Sequence, residues 1–257
     1  MMEKLLGLPV LASEHGKEVD NLIIYVHILM MALFIGWLAY FAYALFRFHH
    51  KRNPKADYIG VKNHASNWIE GAVAAVEGFL LIFVAVPLWA KAMDTGFPKE
   101  KDAIVLHVAA QQFAWNVHYP GKDGVFGPQR MNLVAPDNAF GLDMKDPATA
   151  DDVLLSNEIH CVTNKPVIIY ITSKDVIHSF KVIAMRVTQD AIPGQRVPIH
   201  FIPTKEGRYQ INCAQLCGNA HSSMYAGFVV VETQEAFDKW MEGRPKVGAA
   251  AAGNPLE

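Results

Sequence analysis

The sequence predicts two membrane-spanning helices followed by an all-β sandwich or barrel, and three observations carry this. Asn21 to Phe46 contains no Asp, Glu, Lys or Arg, and Gly71 to Ala90 contains only Glu77. Beyond about Asp94 the texture changes to short β-branched and aromatic runs punctuated by Gly and Pro. Within that half, Cys213-Ala-Gln-Leu-Cys217-Gly-Asn-Ala-His221-Ser-Ser-Met224 places two thiols, an imidazole and a thioether on one short stretch. These are soft or borderline donors, which suit copper and poorly suit magnesium or calcium.

The first apolar run is long enough to cross a hydrocarbon core of about 30 Å at about 1.5 Å per residue. A pair of buried helices in a soluble protein would not need so long a run without charge. The connection between the runs carries Arg47, Lys51, Arg52, Lys55 and Lys62 against Asp57. The segment before Asn21 carries Lys4 and Lys17 against Glu3, Glu14, Glu18 and Asp20. Basic loops stay in the cytoplasm, so both ends of the hairpin face the exterior. The expected organisation is an exterior segment at 1–20, a span at 21–46, a cytoplasmic loop at 47–69, a second span at 70–92, an exterior β domain at 93–242 and a tail at 243–257. Leu5 to Ala12 is too short and too weakly flanked to be expected as a cleaved leader.

In the exterior half, strands are expected at 103–108, 112–119, 167–172, 180–183, 196–202, 208–212 and 225–231. Tyr119-Pro120-Gly121, Asn164-Lys-Pro166, Pro193-Gly194 and Lys205-Glu-Gly207 supply turns. Thr233 is placed to cap a short closing helix reaching Met241, and Gly248 to Glu257 reads as a loose tail. Strands 208–212 and 225–231 would hold the donor loop between them. Two cysteines four apart can bridge two metal ions, or can pair with each other in an exterior domain free of metal. A second histidine would have to come from elsewhere, and His178, in Asp175-Val-Ile-His-Ser-Phe180, is the candidate. Cys161 reads as a small buried hydrophobe. No CxxCH is present, so no c-type haem attaches to this chain. His107, His118, His160 and His200 read as packing or surface residues without partners. His49 and His50, beside Lys51 and Arg52, read as solvated.

The chain resembles subunit II of the haem–copper cytochrome c oxidases over nearly its whole length. The resemblance rests on Gln112-Phe-Ala-Trp115, Asp175-Val-Ile-His-Ser-Phe180, Asp190-Ala-Ile-Pro-Gly194 and the Cys213–Met224 loop. It implies a two-helix hairpin followed by a cupredoxin-like Greek-key domain with a binuclear CuA centre. Cys213 and Cys217 would bridge two copper ions, with His178 and His221 each binding one. Met224 and the backbone carbonyl of Gln215 would complete the two sites. The chain would accept electrons from a c-type cytochrome, mobile or fixed in a supercomplex, and pass them to haem in subunit I. That subunit reduces dioxygen to water and moves protons. Other oxidase subunits and membrane lipid are further expected partners, and nucleic acid is not. The implied location is a bacterial inner membrane, with both termini and the copper domain on the periplasmic side.

Three positions depart from the family pattern. Gln215 stands where Glu is common, which removes a carboxylate that would help hold magnesium at the subunit interface. Phe113 stands where the tryptophan that takes up the electron is usual, leaving Trp115 or the loop edge to serve. Gln195 stands where Arg is common.

Two membrane carboxylates call for separate treatment. By resemblance, Glu70 lies at the mouth of a proton path into the catalytic subunit; a merely solvated boundary group is the alternative. Glu77 lies deeper and should face the partner subunit, pair with a partner or be protonated. The exterior part carries 18 acidic against 15 basic residues from Asp94 onward, a slight bias toward a basic donor. Two other functions use related parts: the electron-entry subunit of a nitric oxide reductase with the same copper module, and a copper-delivery protein built on CxxxC. The second usually carries its CxxxC early with one distant downstream histidine, unlike the order here. A quinol-oxidising relative would lack the copper ligands.

Overall fold

Continuous apolar runs and alternating runs satisfy their backbones differently, and the structure, a computed structural model describing residues 2–55, 58–60 and 62–248, keeps them apart. Its described residues form two units, 2–8 with 18–95 and 9–17 with 96–248. In the first unit, one helix runs Gly16–Arg47 and a second helical span runs Ala65–Met93. Both are long and apolar enough to cross a bilayer. The second begins as an α-helix, Ala65–Leu80, and widens into a π-helical turn at Leu81–Ala85 ahead of Pro87. A proline cannot donate to the residue four back and its ring crowds that carbonyl, so a widened turn accommodates it. Near the other end of that span, Lys91 Nζ meets Glu18 Oε1 of the first helix at 2.5 Å. Asp57, counted above in the charge of the loop, lies outside the described residues.

The second unit is two five-stranded sheets packed face to face. One has the order β3 (Val153–Ser156), β2 (Ala114–Tyr119), β1 (Ile104–Gln111), β5 (Val167–Ser173), β8 (Val197–Phe201). The other has the order β4 (Glu158–Val162), β10 (Gly227–Glu232), β9 (Gly207–Cys213), β6 (His178–Val182), β7 (Val187–Ala191). β1 pairs parallel with β5, and β10 parallel with β4, while the remaining neighbours are antiparallel. The period of two in each strand sends Leu106, Val117, Ile169, Phe180, Ile211 and Val229 into one core. Cys161 is buried among them, as its setting predicted, and burial pushes its thiol far above the ordinary range.

The segment before the first span joins this sandwich. Ala12 N–H donates to Ala184 O at 2.8 Å, Thr204 N–H donates to Ala12 O at 2.8 Å, and Ser13 Oγ donates to Met185 O at 2.6 Å. The closing helix is Gln234–Glu242, and the Thr233 side chain caps it by accepting from Ala236 N–H. Gly248, expected to open a loose tail, donates its N–H to Ala150 O at 2.9 Å; the rest of that tail lies outside the described residues.

Three expectations need correction. Gln112 and Phe113 form the turn between β1 and β2 instead of opening a strand. Strands β3, β4 and β7 were not anticipated, and β3 is only four residues long. The histidines expected to lack partners have them. His118 Nε2 lies 2.8 Å from Asp152 Oδ2, and His107 Nδ1 lies 3.1 Å from Gln129 Nε2. His160 Nδ1 lies 2.7 Å from Glu232 Oε1, its ring stacked on Trp240 at 3.8 Å, and His200 meets the Phe97 ring edge-on at 4.7 Å. The partners of the buried rings of His107, His118 and His160 come from segments distant in the chain, where the linear sequence showed none.

Candidate metal centre

Strand register brings the donors together. β6 pairs with β9 so that Phe180 lies opposite Cys213, and Ala214 N–H donates to Ser179 O at 2.9 Å. His178, the first residue of β6, therefore lies beside the end of β9, where the 214–226 loop departs. A 3-10 turn at His221–Ser223 folds the loop back before β10 begins at Gly227.

Cys213 Sγ lies 3.9 Å from His178 Nδ1 and 3.1 Å from the Gln215 carbonyl oxygen. Cys217 Sγ lies 3.5 Å from His221 Nδ1 and 3.4 Å from Met224 Sδ. The two sulfurs are 3.9 Å apart and both thiols are free; a disulfide would hold them at about 2.05 Å. His178, Cys213 and Cys217 each offer a donor atom, all within 4.8 Å of one another. Metal–sulfur bonds of about 2.3 Å and metal–nitrogen bonds of about 2.0 Å set neighbouring tetrahedral ligands roughly 3.5 Å apart, so these spacings fit donors shared by a soft metal. Electrostatics points the same way. Burial, with the Cys213 thiol beside it, pushes Cys217 up to about 11. Two adjacent thiolates need a cation to offset their charge, and metal loading would therefore release protons.

The turn at Gln112–Phe113 is the platform beneath this loop. Gln112 Nε2 donates to Cys217 O at 2.6 Å, and Gln112 N–H donates to Asp175 Oδ2 at 2.7 Å. Asp175 Oδ1 lies 2.9 Å from His178 Nε2. Burial raises the Asp175 carboxyl, but the Gln112 N–H, the His178 ring and the Val176 N–H outweigh it and hold it below its ordinary value. A carboxylate on Nε2 fixes the proton there and turns the Nδ1 lone pair toward Cys213. Gly218 has φ +138°, and a Cβ on it would stand 2.7 Å from Gln112 Nε2. Only glycine adopts that backbone easily and leaves room for the amide clamp.

Trp115 is fully buried, its Nε1 donating to Met224 O at 3.3 Å and its ring 6.2 Å from that of His178. It lies under the loop, out of reach of a docking protein. Phe113 is half-buried and would lie 3.0 Å from a Cβ at Gly218. The exposed rim carries two large apolar side chains: Leu216 is 77% exposed and Tyr225 58%. Gln215 is also exposed and offers no carboxylate. Glu70 and Glu77 lie on the second span, in the other unit. Sequence reasoning missed Asp175 and Gln112 as supports of the loop; the motif around each was visible, but their hydrogen bond joins residues 63 apart in the chain.

A sandwich tethered by two apolar helices and gathering soft donors at one edge defines a class: membrane-anchored β domains that hold a redox metal for electron transfer. The family model described as cytochrome c oxidase subunit II, periplasmic domain, matches residues 104–233. The alternative cytochrome c oxidase subunit 2 of Bradyrhizobium diazoefficiens is 32% identical over 219 residues, 82% of this chain and 74% of that protein. Cytochrome c oxidase subunit 2 of Cereibacter sphaeroides is 27% identical over 241 residues, 90% of this chain and 77% of that protein. The crystal structure of the periplasmic domain of subunit II of cytochrome oxidase from Bradyrhizobium japonicum aligns with TM-score 0.42 and 27% identity, covering 57% of this chain and 95% of that one. The chain belongs to the cytochrome c oxidase subunit II family. It is thereby a subunit of a haem–copper terminal oxidase, an oxidoreductase that works with subunit I and other oxidase subunits. Family membership implies a copper centre, and a membrane location fits both the helices and the matched periplasmic domain. The nitric oxide reductase and copper-delivery readings are not favoured.

Proposed function

We propose that the loop holds a binuclear copper centre that takes electrons from a c-type cytochrome at the exterior face and delivers them toward haem in subunit I. The observation that carries this is the paired arrangement: two sulfurs 3.9 Å apart, with His178 beside Cys213 and His221 beside Cys217. One thiolate pair with an imidazole at each end suits two metals better than one. Copper bound there supplies reversible one-electron transfer with its charge spread over both sulfurs. Met224 and the Gln215 carbonyl are the weaker donors of this reading. The protein's own part is to hold the donors in place on two paired strands and a hydrogen-bonded turn, and to bury Cys217 and Met224 from water. Donors kept in place through both redox states keep reorganisation small.

The buried position of Trp115 favours the exposed loop edge, around Leu216 and Tyr225, as the surface that meets the donor. Such a contact suits a donor held close in a supercomplex as well as a mobile cytochrome. Magnesium is left out of the reading, since Gln215 brings no charge. The proposed placement is the bacterial inner membrane, with the β domain and both termini in the periplasm and lipid around the spans. The hydrogen bonds of Ala12 and Ser13 to the β domain support an N-terminus on that side.

Copper analysis of the metal-loaded chain tests the centre: two coppers per chain and a purple mixed-valence spectrum are expected. One copper with a blue mononuclear spectrum contradicts it. Glu70 is proposed as the carboxylate at the mouth of the proton path. Glu70→Gln should slow oxidase turnover by about 100-fold, the lower end of the range for a group that transfers protons, with copper content unchanged. Turnover equal to the parent removes Glu70 from the mechanism.

A further inference from the structure

Where the first apolar helix begins and the second span ends, the two frame a groove of about 350 Å³. That volume falls within the range of small-molecule sites. Its charges lie at the mouth. Glu18 Oε1 and Lys91 Nζ are 2.5 Å apart, and their side chains remain 46% and 57% exposed. Asn21, about one turn further in, is half-buried, and no described residue hydrogen-bonds to its amide. Tyr25 follows one turn deeper, about 10 Å from Glu18 at the helical rise. Phe83, Val84 and Leu88 supply the apolar wall.

The backbone of the second span is shaped around this groove. π-Helical turns at Leu81–Ala85 and Lys91–Thr95 bracket the Val86–Ala90 turn, and Pro87 lies in the groove wall. A π turn widens the helix and recurs at functional positions. From the mouth inward the lining runs from opposite charges to an amide and a hydroxyl, then to hydrocarbon. That is the order of groups along a phospholipid: headgroup charges, ester carbonyls, acyl chain. A helix is about 10–12 Å across with its side chains and does not enter a groove of this volume, whereas one acyl chain does. Charge complementarity selects the headgroup. An anionic head without a cation would meet the Glu18 carboxylate, and a quaternary ammonium offers that carboxylate no N–H.

We propose that this groove is a binding site for one zwitterionic phospholipid with a primary ammonium head, phosphatidylethanolamine, from the exterior leaflet. Its phosphate lies at Lys91 and its ammonium at Glu18, so each charge of the protein pair is shared with an opposite charge of the lipid through charge-assisted hydrogen bonds. The Asn21 amide donates to an ester carbonyl, and one acyl chain lies against Phe83, Val84 and Leu88. The inference rests on the membrane placement proposed above and not on the copper centre.

Native mass spectrometry of the delipidated oxidase tests the groove, with phosphatidylethanolamine, phosphatidylcholine or phosphatidylglycerol of identical acyl chains added in detergent. Phosphatidylethanolamine should fill one site per chain at roughly tenfold lower concentration than the other two, the worth of one charge-assisted hydrogen bond. Leu88→Trp fills the groove and should remove that adduct, and Glu18→Gln should erase the preference over phosphatidylglycerol. Trp89→Leu, at an exposed side chain outside the groove, should change neither. Because Leu88→Trp could fail to assemble, phosphatidylethanolamine carrying a photoreactive diazirine in one acyl chain is also applied to the parent oxidase, and labelling within residues 83–88 is expected. Equal occupancy by the three lipids, an adduct unchanged by Leu88→Trp, or labelling that avoids residues 83–88 overturns the inference. A photoreactive benzophenone at position 83 that captures a protein subunit in place of lipid does the same. Alkaline carbonate extraction of the same membranes reads the placement separately. A chain released without detergent defeats the placement, whereas a retained chain without headgroup preference defeats only the groove.

Discussion

Cys217→Ser is expected to abolish the mixed-valence copper spectrum and to slow electron delivery to haem by more than about 100-fold, beyond what loss of a supporting hydrogen bond around a metal ligand produces. The geometry explains why this cysteine should matter most. Its sulfur is the hub of the donor set, 3.9 Å from Cys213 Sγ, 3.5 Å from His221 Nδ1 and 3.4 Å from Met224 Sδ. It is buried, so the substituted hydroxyl would have no water to compensate for a weaker bond to a soft metal. The backbone should survive, because Gln112 Nε2 holds the Cys217 carbonyl and not its thiol. The measurement is copper content and the visible and paramagnetic resonance spectra of the purified chain, followed by cytochrome c oxidation by the assembled oxidase. A spectrum with the electron still shared over two coppers would sink the bridging role. A chain that keeps one copper with a mononuclear signature would support it.

The donor loop was legible in the sequence because its residues are close together: Cys213, Cys217, His221 and Met224 fall on one stretch, and any fold would keep them within a few turns of chain. His178 could be named only through the neighbouring Asp-Val-Ile-His-Ser motif, since its approach depends on β6 pairing with β9. The two spans were legible for a different reason: length and absence of charge are local properties. Their fine structure was not, and the π-helical turn before Pro87 has no signature beyond the proline itself.

What escaped the sequence was everything set by register between distant strands. Trp115 reads as an aromatic strand residue whichever face it takes, and only the pairing Ala110↔Trp115 with its sheet packing turns it inward beneath Met224. The parallel pairing of β1 with β5 crosses more than fifty residues and leaves no mark on either strand. The histidines show the same limit. His118 and Asp152 are 34 residues apart, and neither is remarkable until β2 and the long connection after it are folded against each other.

That last pair gives the prediction with the largest effect on stability. Asp152→Ala should destabilise the chain by about 3 kcal/mol, because it leaves two buried donors without an acceptor at roughly 1–3 kcal/mol each. Asp152 and His118 are both fully buried. Asp152 Oδ2 accepts from Gly127 N–H at 2.9 Å and lies 2.8 Å from His118 Nε2, while Gln129 Nε2 lies 3.2 Å from His118 Nδ1. Since the Gln129 amide nitrogen can only donate, Nδ1 accepts and Nε2 carries the proton toward Asp152. The same amide donates to His107 Nδ1, and burial, then the nearby Arg196 charge and His118, depress His107 to about 3, so that ring stays neutral. Alanine at 152 would leave the Gly127 N–H and the His118 Nε2–H without acceptors, in a place where water does not reach. Asn at 152 keeps an acceptor for one or both donors and should cost about 1 kcal/mol. Denaturant unfolding of the full chain in detergent, followed by tryptophan fluorescence, reads the difference. A loss below about 1 kcal/mol for Asp152→Ala would mean that the connection between β2 and β3 relaxes to admit solvent, and that this network does not fasten it to the sheet.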